Sequence, residues 1–430
     1  MDRSATTGPR RIDLLIEGLS EVATPLGFAA LGGSALDSQV LEGAAVAVDG
    51  GEIVAVGEPA ELLATCEPAE RHDARGGVLV PGFVDAHTHP VFFGTREQEF
   101  ELRCAGKTYV EISQAGGGIL SSLRGVREAS REALHGRLLL HLDRFLELGT
   151  TTVEAKTGYG LSTEDELRCL EVIAAANEEH PVDLVPTFLG AHDFPPEYRD
   201  RREAYVELLL EEMLPRVAES GLAEYCDVFT ESHVFGLEDS RRLMRRGAEL
   251  GLGVRMHVDQ LTPLGGAQLA AELGAASADH LECVTPEGIE ALASAGVVPV
   301  LCPLVPLYLR QEEEAPAREM VRAGLAPALA TDFNPGSCYV QSMPEVLSWA
   351  ALRYGFSASE ALCAATLNAA ASLGRAASLG SVEAGKQADL VLLDLPGHRH
   401  ICYELGRNPV RAVWKRGELV YERDDEVLRG

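Results

Sequence analysis

Hydrophobic positions along the chain fall into two regimes. Residues 12–16, 44–48 and 53–56 are short apolar runs broken by turn residues, and Asp49-Gly50-Gly51 is a hairpin signal between the last two. The C-terminal stretch has the same style. There, 389–394 and 410–414 read as strands, and 415–420 turns through Gly417 into another. Too few strands lie at either end to close a sheet alone, which predicts one small β-sandwich built from both termini, residues 1–80 with 378–430.

Between 81 and 377 apolar β-type runs alternate with amphipathic helices. Leu134, Leu138, Leu142, Phe145 and Leu146 recur at helical spacing, and the run stops at Gly149. Thr163-x-x-Glu166 reads as a capping box, and Thr285-Pro286 as an N-cap followed by a first-turn proline. Strands are predicted at 84–89, 151–155, 184–192, 225–231, 254–260, 278–282, 297–303 and 328–334. Eight strands alternating with helices imply an α/β fold, a (β/α)8 TIM-like barrel over residues 81–377, whose chemistry sits at the C-terminal ends of the strands.

Composition narrows the classes of function. The 430 residues are 46% hydrophobic and 24% charged, an ordinary globular balance. The longest apolar stretch, 295–309, is interrupted by Pro299, Pro303 and Pro306 and is shorter than the ~20 residues that cross a bilayer, so no membrane partner is expected. The first ten residues carry no apolar core behind their charges, which predicts a cytoplasmic protein. Nine scattered cysteines, none spaced Cys-x-x-Cys, fit neither a disulfide framework nor a zinc ribbon. The net charge is −29, with only four lysines among 37 basic residues, which excludes nucleic acid as the partner. Such acidity also fits a high-salt cytoplasm, where counterions screen self-repulsion.

Polar residues at the predicted strand ends carry the chemistry. The first strand ends in His87-Thr-His89, and residues two apart on a strand face one side, so both imidazoles can address one ion. Other strand ends bring His192, His257, Asp279-His280 and Asp332. Three imidazoles and one carboxylate, His87, His89, His257 and Asp332, describe a catalytic site for one divalent ion, zinc or ferrous iron, with a position left for water. The fourth strand offers no lysine to be carbamylated, so the site is expected to be mononuclear, and Lys156 is expected in a structural ion pair. His135 and His141 are expected in a helix, His72, His180 and His233 in loops, and His398 and His400 in the terminal sandwich.

These motifs, with the sandwich, resemble the amidohydrolase superfamily and within it most closely the imidazolonepropionase family of histidine degradation. The resemblance rests on Pro81 to Pro90, Phe93-Gly-Thr-Arg96, Glu154-Ala-Lys-Thr-Gly-Tyr-Gly-Leu161, Thr187 to His192, Ala278 to Glu282, Ala330-Thr-Asp-Phe-Asn-Pro-Gly-Ser337 and Gly385 to Leu390. It implies hydrolysis of the ring amide of 4-imidazolone-5-propanoate to N-formimidoyl-L-glutamate by a homodimer. Arg96 would clamp the propanoate, a task suited to a guanidinium. Tyr109, Tyr159, His192, Asn334, Gly336 and Ser337 would contact substrate or product. Asp332 would take the water proton, and His280 would orient the water or stabilise the oxyanion. The family pattern has Glu three residues after the fifth-strand His, where it shuttles a proton. This chain has Gln260, an amide that carries no proton at neutral pH, so Gln260 is a substrate contact and the shuttle falls to Asp332, His280 or Asp259.

Two other readings compete. A guanine- or cytosine-type deaminase would use the same ligands, but generally depends on the missing glutamate and leaves Arg96 without a role. A non-enzymatic scaffold should have lost ligands, and all four are present.

Overall fold

The computed structural model describes residues 9–108, 111–112 and 116–423. Tyr109 lies outside the described residues.

Eight parallel strands form one sheet in chain order: β1 (Phe83–Asp85), β2 (Thr150–Lys156), β3 (Asp183–Ala191), β4 (Tyr225–Thr230), β5 (Gly253–Val258), β6 (Ser277–His280), β7 (Val298–Leu301) and β8 (Ala328–Leu329). A single bridge, Thr88 to Phe333, brings the last strand back to the first. Side chains complete the closure, since the buried Asp85 carboxylate accepts from the Thr331 amide at 3.0 Å and its hydroxyl at 2.5 Å. Most strands match the predicted positions, but β1 and β8 stop early. Beyond them the chain leaves regular pairing to aim polar side chains inward.

Helices fill the outer layer. The helix carrying Leu134 to Leu146, α1 (Arg131–Glu147), buries those leucines and Phe145, and the chain exits through Gly149 at φ 84°. At α2 (Thr163–Glu179) the predicted capping box is corrected. Ser162 is the N-cap and accepts from the Asp165 amide, while the Glu166 carboxylate accepts from the amides of Gly158, Gly160 and Leu161. Glu166 therefore braces the loop that carries Tyr159. Thr285 caps the helix Pro286–Ala295 as its Thr-Pro pair suggested.

The terminal strands make two sheets. One has six strands and mixes the ends, in the order Glu418–Glu422, Val410–Lys415, Leu390–Leu393, Val78–Pro81, Glu21–Thr24, Gln39–Glu42. The other has four, Glu52–Gly57, Ala45–Asp49, Arg10–Glu17 and Cys66–Asp73, and is wholly N-terminal, so the N-terminal end does complete a sheet alone. Leu14, Ile16, Val46 and Val48 from one face Leu79, Leu390, Leu392 and Trp414 from the other in a shared core. His72, expected in a loop, lies in the edge strand Cys66–Asp73. That strand is polar and contains Pro68, which an edge tolerates because its missing amide need not pair. Among the described residues no helix is long and apolar enough to cross a membrane.

Candidate active site

The C-terminal ends of the barrel strands converge on a narrow cavity. His89, Arg96, Tyr159, His192, His257, Gln260, His280, Asp332, Asn334 and Ser337 all line it.

At its floor, ring nitrogens of His87, His257 and His280 lie within 4.8 Å of one another, and so do ligand atoms of His87, His89 and Asp332. Asp332 Oδ1 is 3.5 Å from His87 Nε2 and 3.4 Å from His89 Nε2, and His257 Nε2 is 3.4 Å from His89 Nε2. His87 and His89 lie just past β1, on either side of Thr88, whose pairing keeps the segment extended. Asp332 adopts φ 52° and His280 φ 79°, a left-handed backbone that costs a non-glycine residue about 1–3 kcal/mol and persists where function holds it.

These groups fit a metal ion. His87 Nε2 and Asp332 Oδ1 are buried without a hydrogen-bond partner among the described residues. Buried polar atoms normally find partners, and a cation supplies one for both. Behind them, His87 Nδ1 donates to Asp279 Oδ2 at 2.7 Å, and His257 Nδ1 stands 3.0 Å from Asp227 Oδ2. Carboxylates at the far nitrogen fix the tautomer and turn Nε2 toward the cluster, the arrangement usual for ligating histidines. Burial, followed by the Lys156 charge, pushes the His87 and His89 imidazoles well below their usual range. Burial also pushes His257 down to about 3, so its lone pair is free for a metal.

Beneath this ring lies a buried charge cluster. Lys156 Nζ donates to Glu154 Oε1 and Asp227 Oδ2, both at 2.7 Å, and Arg255 Nε is 3.1 Å from Glu154. Lys156 is thus in a structural ion pair, as expected. Burial opposes its charge, but Asp227, Glu154 and Asp279 outweigh that and raise its pKa.

The other residues in and around the cavity are held with equal care. Arg96 Nε and Nη2 donate to Glu99 Oε2 at 3.0 and 2.7 Å, and Glu99 also accepts from the Gly118 amide. Gly336 lies against this guanidinium, where a Cβ would come within 2.0 Å of Arg96 Nη1. The Asn334 side chain donates to the Asp332 carbonyl and Ser337 Oγ and accepts from the Gly336 and Ser337 amides. It therefore orders the 334–337 turn that sets Gly336 and Ser337. His192 Nδ1 donates to the Gly158 carbonyl at 2.9 Å, leaving Nε2 as an acceptor, and its ring stacks on His89 at 5.1 Å. Burial pushes His192 down to about 3, so it is neutral. Asp259 accepts from the amides of Gly265, Gly266 and Ala267, and Glu231 from those of Leu261 and Thr262. These contacts pin the loop beside Gln260 and leave Asp259 directed away from the chemistry.

The supporting roles of Asp227, Asp279, Glu99 and Glu166 are not foreseen from the sequence, although Asp279 stands out there beside His280 and Glu166 as part of a capping box.

Imidazoles and a carboxylate gathered at the strand ends of a (β/α)8 barrel define a metal-dependent hydrolase. The amidohydrolase family profile matches residues 78–420. An imidazolonepropionase of Symbiobacterium thermophilum is 50% identical over 417 residues, 96% of this chain and 98% of that protein. One of Rubrobacter xylanophilus is 47% identical, covering 95% and 98%. Among solved structures, an adenosine deaminase of Xanthomonas campestris with bound zinc aligns at TM-score 0.71 with 23% identity, over 98% of this chain and 97% of its own. A triazine hydrolase variant aligns at TM-score 0.74 with 20% identity, over 97% of both chains, and these two show the fold alone. The chain belongs to the amidohydrolase family, and within it to the imidazolonepropionases.

Proposed function

We propose that this protein hydrolyses the ring amide of 4-imidazolone-5-propanoate to N-formimidoyl-L-glutamate, using one zinc or ferrous ion held by His87, His89, His257 and Asp332. The observation that carries the reading is the pairing, at one cavity, of two overlapping ligand triads, His87 with His257 and His280 and His87 with His89 and Asp332, with a buried arginine suited to the substrate carboxylate. The 43–50% identity to imidazolonepropionases over most of the chain supports the substrate.

The ion supplies Lewis acidity, making water a nucleophile near neutral pH and polarising the ring carbonyl. The residues of the chain do the rest. Arg96, held by Glu99 and seated on Gly336, takes the propanoate and fixes which face of the ring carbonyl meets the attacking water. Tyr159 and His192 wall the ring, and the neutral His192 Nε2 accepts from a ring N–H. Gln260 contacts the ring without moving a proton. Asp332 accepts the water proton as the C–O bond forms. His280 orients the water and steadies the oxyanion. The proton then goes to the ring nitrogen as the C–N bond breaks.

Incubating the purified holoenzyme with 4-imidazolone-5-propanoate tests the reading. Formation of N-formimidoyl-L-glutamate is expected, and no turnover at full metal occupancy would refute it.

A further inference from the structure

Two of the clustered imidazoles present Nδ1 to a buried carboxylate, His87 to Asp279 and His257 to Asp227. His280 has a carboxylate at the same place. Its Nδ1 lies 3.7 Å from Glu282 Oε1, and the side chains are 2% and 0% exposed. No described residue hydrogen-bonds His280 Nδ1 or either Glu282 oxygen. A buried carboxylate without a donor is costly, and such a group calls for an explanation.

The backbone between the two is set in an unusual way. His280 and Leu281 are consecutive non-glycine residues at positive φ, 79° and 71°. The kink is anchored on both sides, by the Leu281 amide donating to the Val258 carbonyl and the Cys283 amide to that of Asp259. It therefore fixes both side chains relative to the end of β5, where His257 sits.

Resting on the functional reading above, we propose that Glu282 is a positioning residue for the hydrolysis. Its carboxylate accepts from His280 Nδ1 once the pair closes to about 2.8 Å, a hydrogen-bond length. The imidazole is then held with Nε2 toward the cavity, where it meets the water and the oxyanion. Catalytic hydrogen bonds that are long in an unliganded site commonly tighten around substrate. Glu282 itself touches neither substrate nor metal.

A double-mutant cycle on the holoenzyme tests this: wild type, Glu282→Gln, His280→Ala and the double variant, each with metal content and melting temperature. Glu282→Gln should lower kcat roughly 10- to 100-fold, the usual cost of losing such a partner, with KM and metal content unchanged. In the His280→Ala background the same change should alter kcat less than about twofold, because the loss passes through one imidazole. Should Glu282→Gln not fold, Glu282→Asp replaces it, with a smaller fall in kcat and the same collapse of the effect. A wild-type kcat in a Glu282 variant, or a loss that multiplies in full with His280→Ala, overturns the proposal alone. A wild type inert on the imidazolone overturns the functional reading and this proposal together.

Discussion

Arg96 is held twice, by the Glu99 carboxylate and by the absence of a side chain at Gly336, so two different substitutions should give one phenotype. Arg96→Ala removes a charge-assisted contact of about 1.5–3 kcal/mol and should raise KM roughly 10- to 100-fold at unchanged metal content. Gly336→Ala puts a methyl where the guanidinium lies and should raise KM in the same direction. Steady-state kinetics beside elemental analysis checks both, and an unaltered KM in Arg96→Ala would remove it from the site. The ends of the fifth and eighth strands give a second contrast. Asp332→Asn loses a ligand charge and a base together and should nearly abolish turnover, whereas Gln260→Glu should remain active. If Gln260→Glu were equally dead, the amide would have a role that a carboxylate cannot fill. At this scale the inner residues were legible because histidines at strand ends are rare by chance. Their carboxylate supports were not, because the sequence does not say which Asp or Glu faces inward.

Among the elements, strands with strong apolar runs were readable, and those defined by pairing alone were not. Cys66–Asp73 lacks any alternation and exists because Arg10–Glu17 offers it an edge. The predicted end of the eighth strand ran too far, since Ala330 to Asn334 look extended in composition while Asp332 requires a left-handed turn. Helix α1 provides a pH test of how an outer element holds the site. Its His141 packs between Phe92 and Phe333, donates from Nδ1 to the Pro90 carbonyl, and is pushed down by burial to about 4. The unfolded chain protonates this group near 6.5 and the folded one only near 4, so its stabilising share is complete above pH 6.5 and lost as pH falls toward 4. The share is roughly 3 kcal/mol. Thermal melts from pH 7.5 to 4.5 should show His141→Gln losing less stability on acidification than the wild type. Parallel curves would place the acid sensitivity elsewhere.

For the whole molecule, the net charge of −29 sets a general expectation. Self-repulsion opposes the compact state and is screened over about 10 Å at 0.1 M salt, so the melting temperature should climb as monovalent salt rises toward molar concentrations. A salt-independent melt would contradict it. The alternation of strands and helices made the barrel legible at this scale, while the division of the terminal strands between two sheets depended on long-range pairing. The central claim is that one ion in the His87, His89, His257 and Asp332 cluster enables ring opening of the imidazolone. The most direct measurement strips the metal, restores zinc or ferrous iron stepwise, and follows N-formimidoyl-L-glutamate formation against bound metal. Product formation should vanish on stripping and rise linearly to a plateau at one ion per chain. Undiminished turnover in the stripped protein, or a plateau only at two ions, would contradict the account.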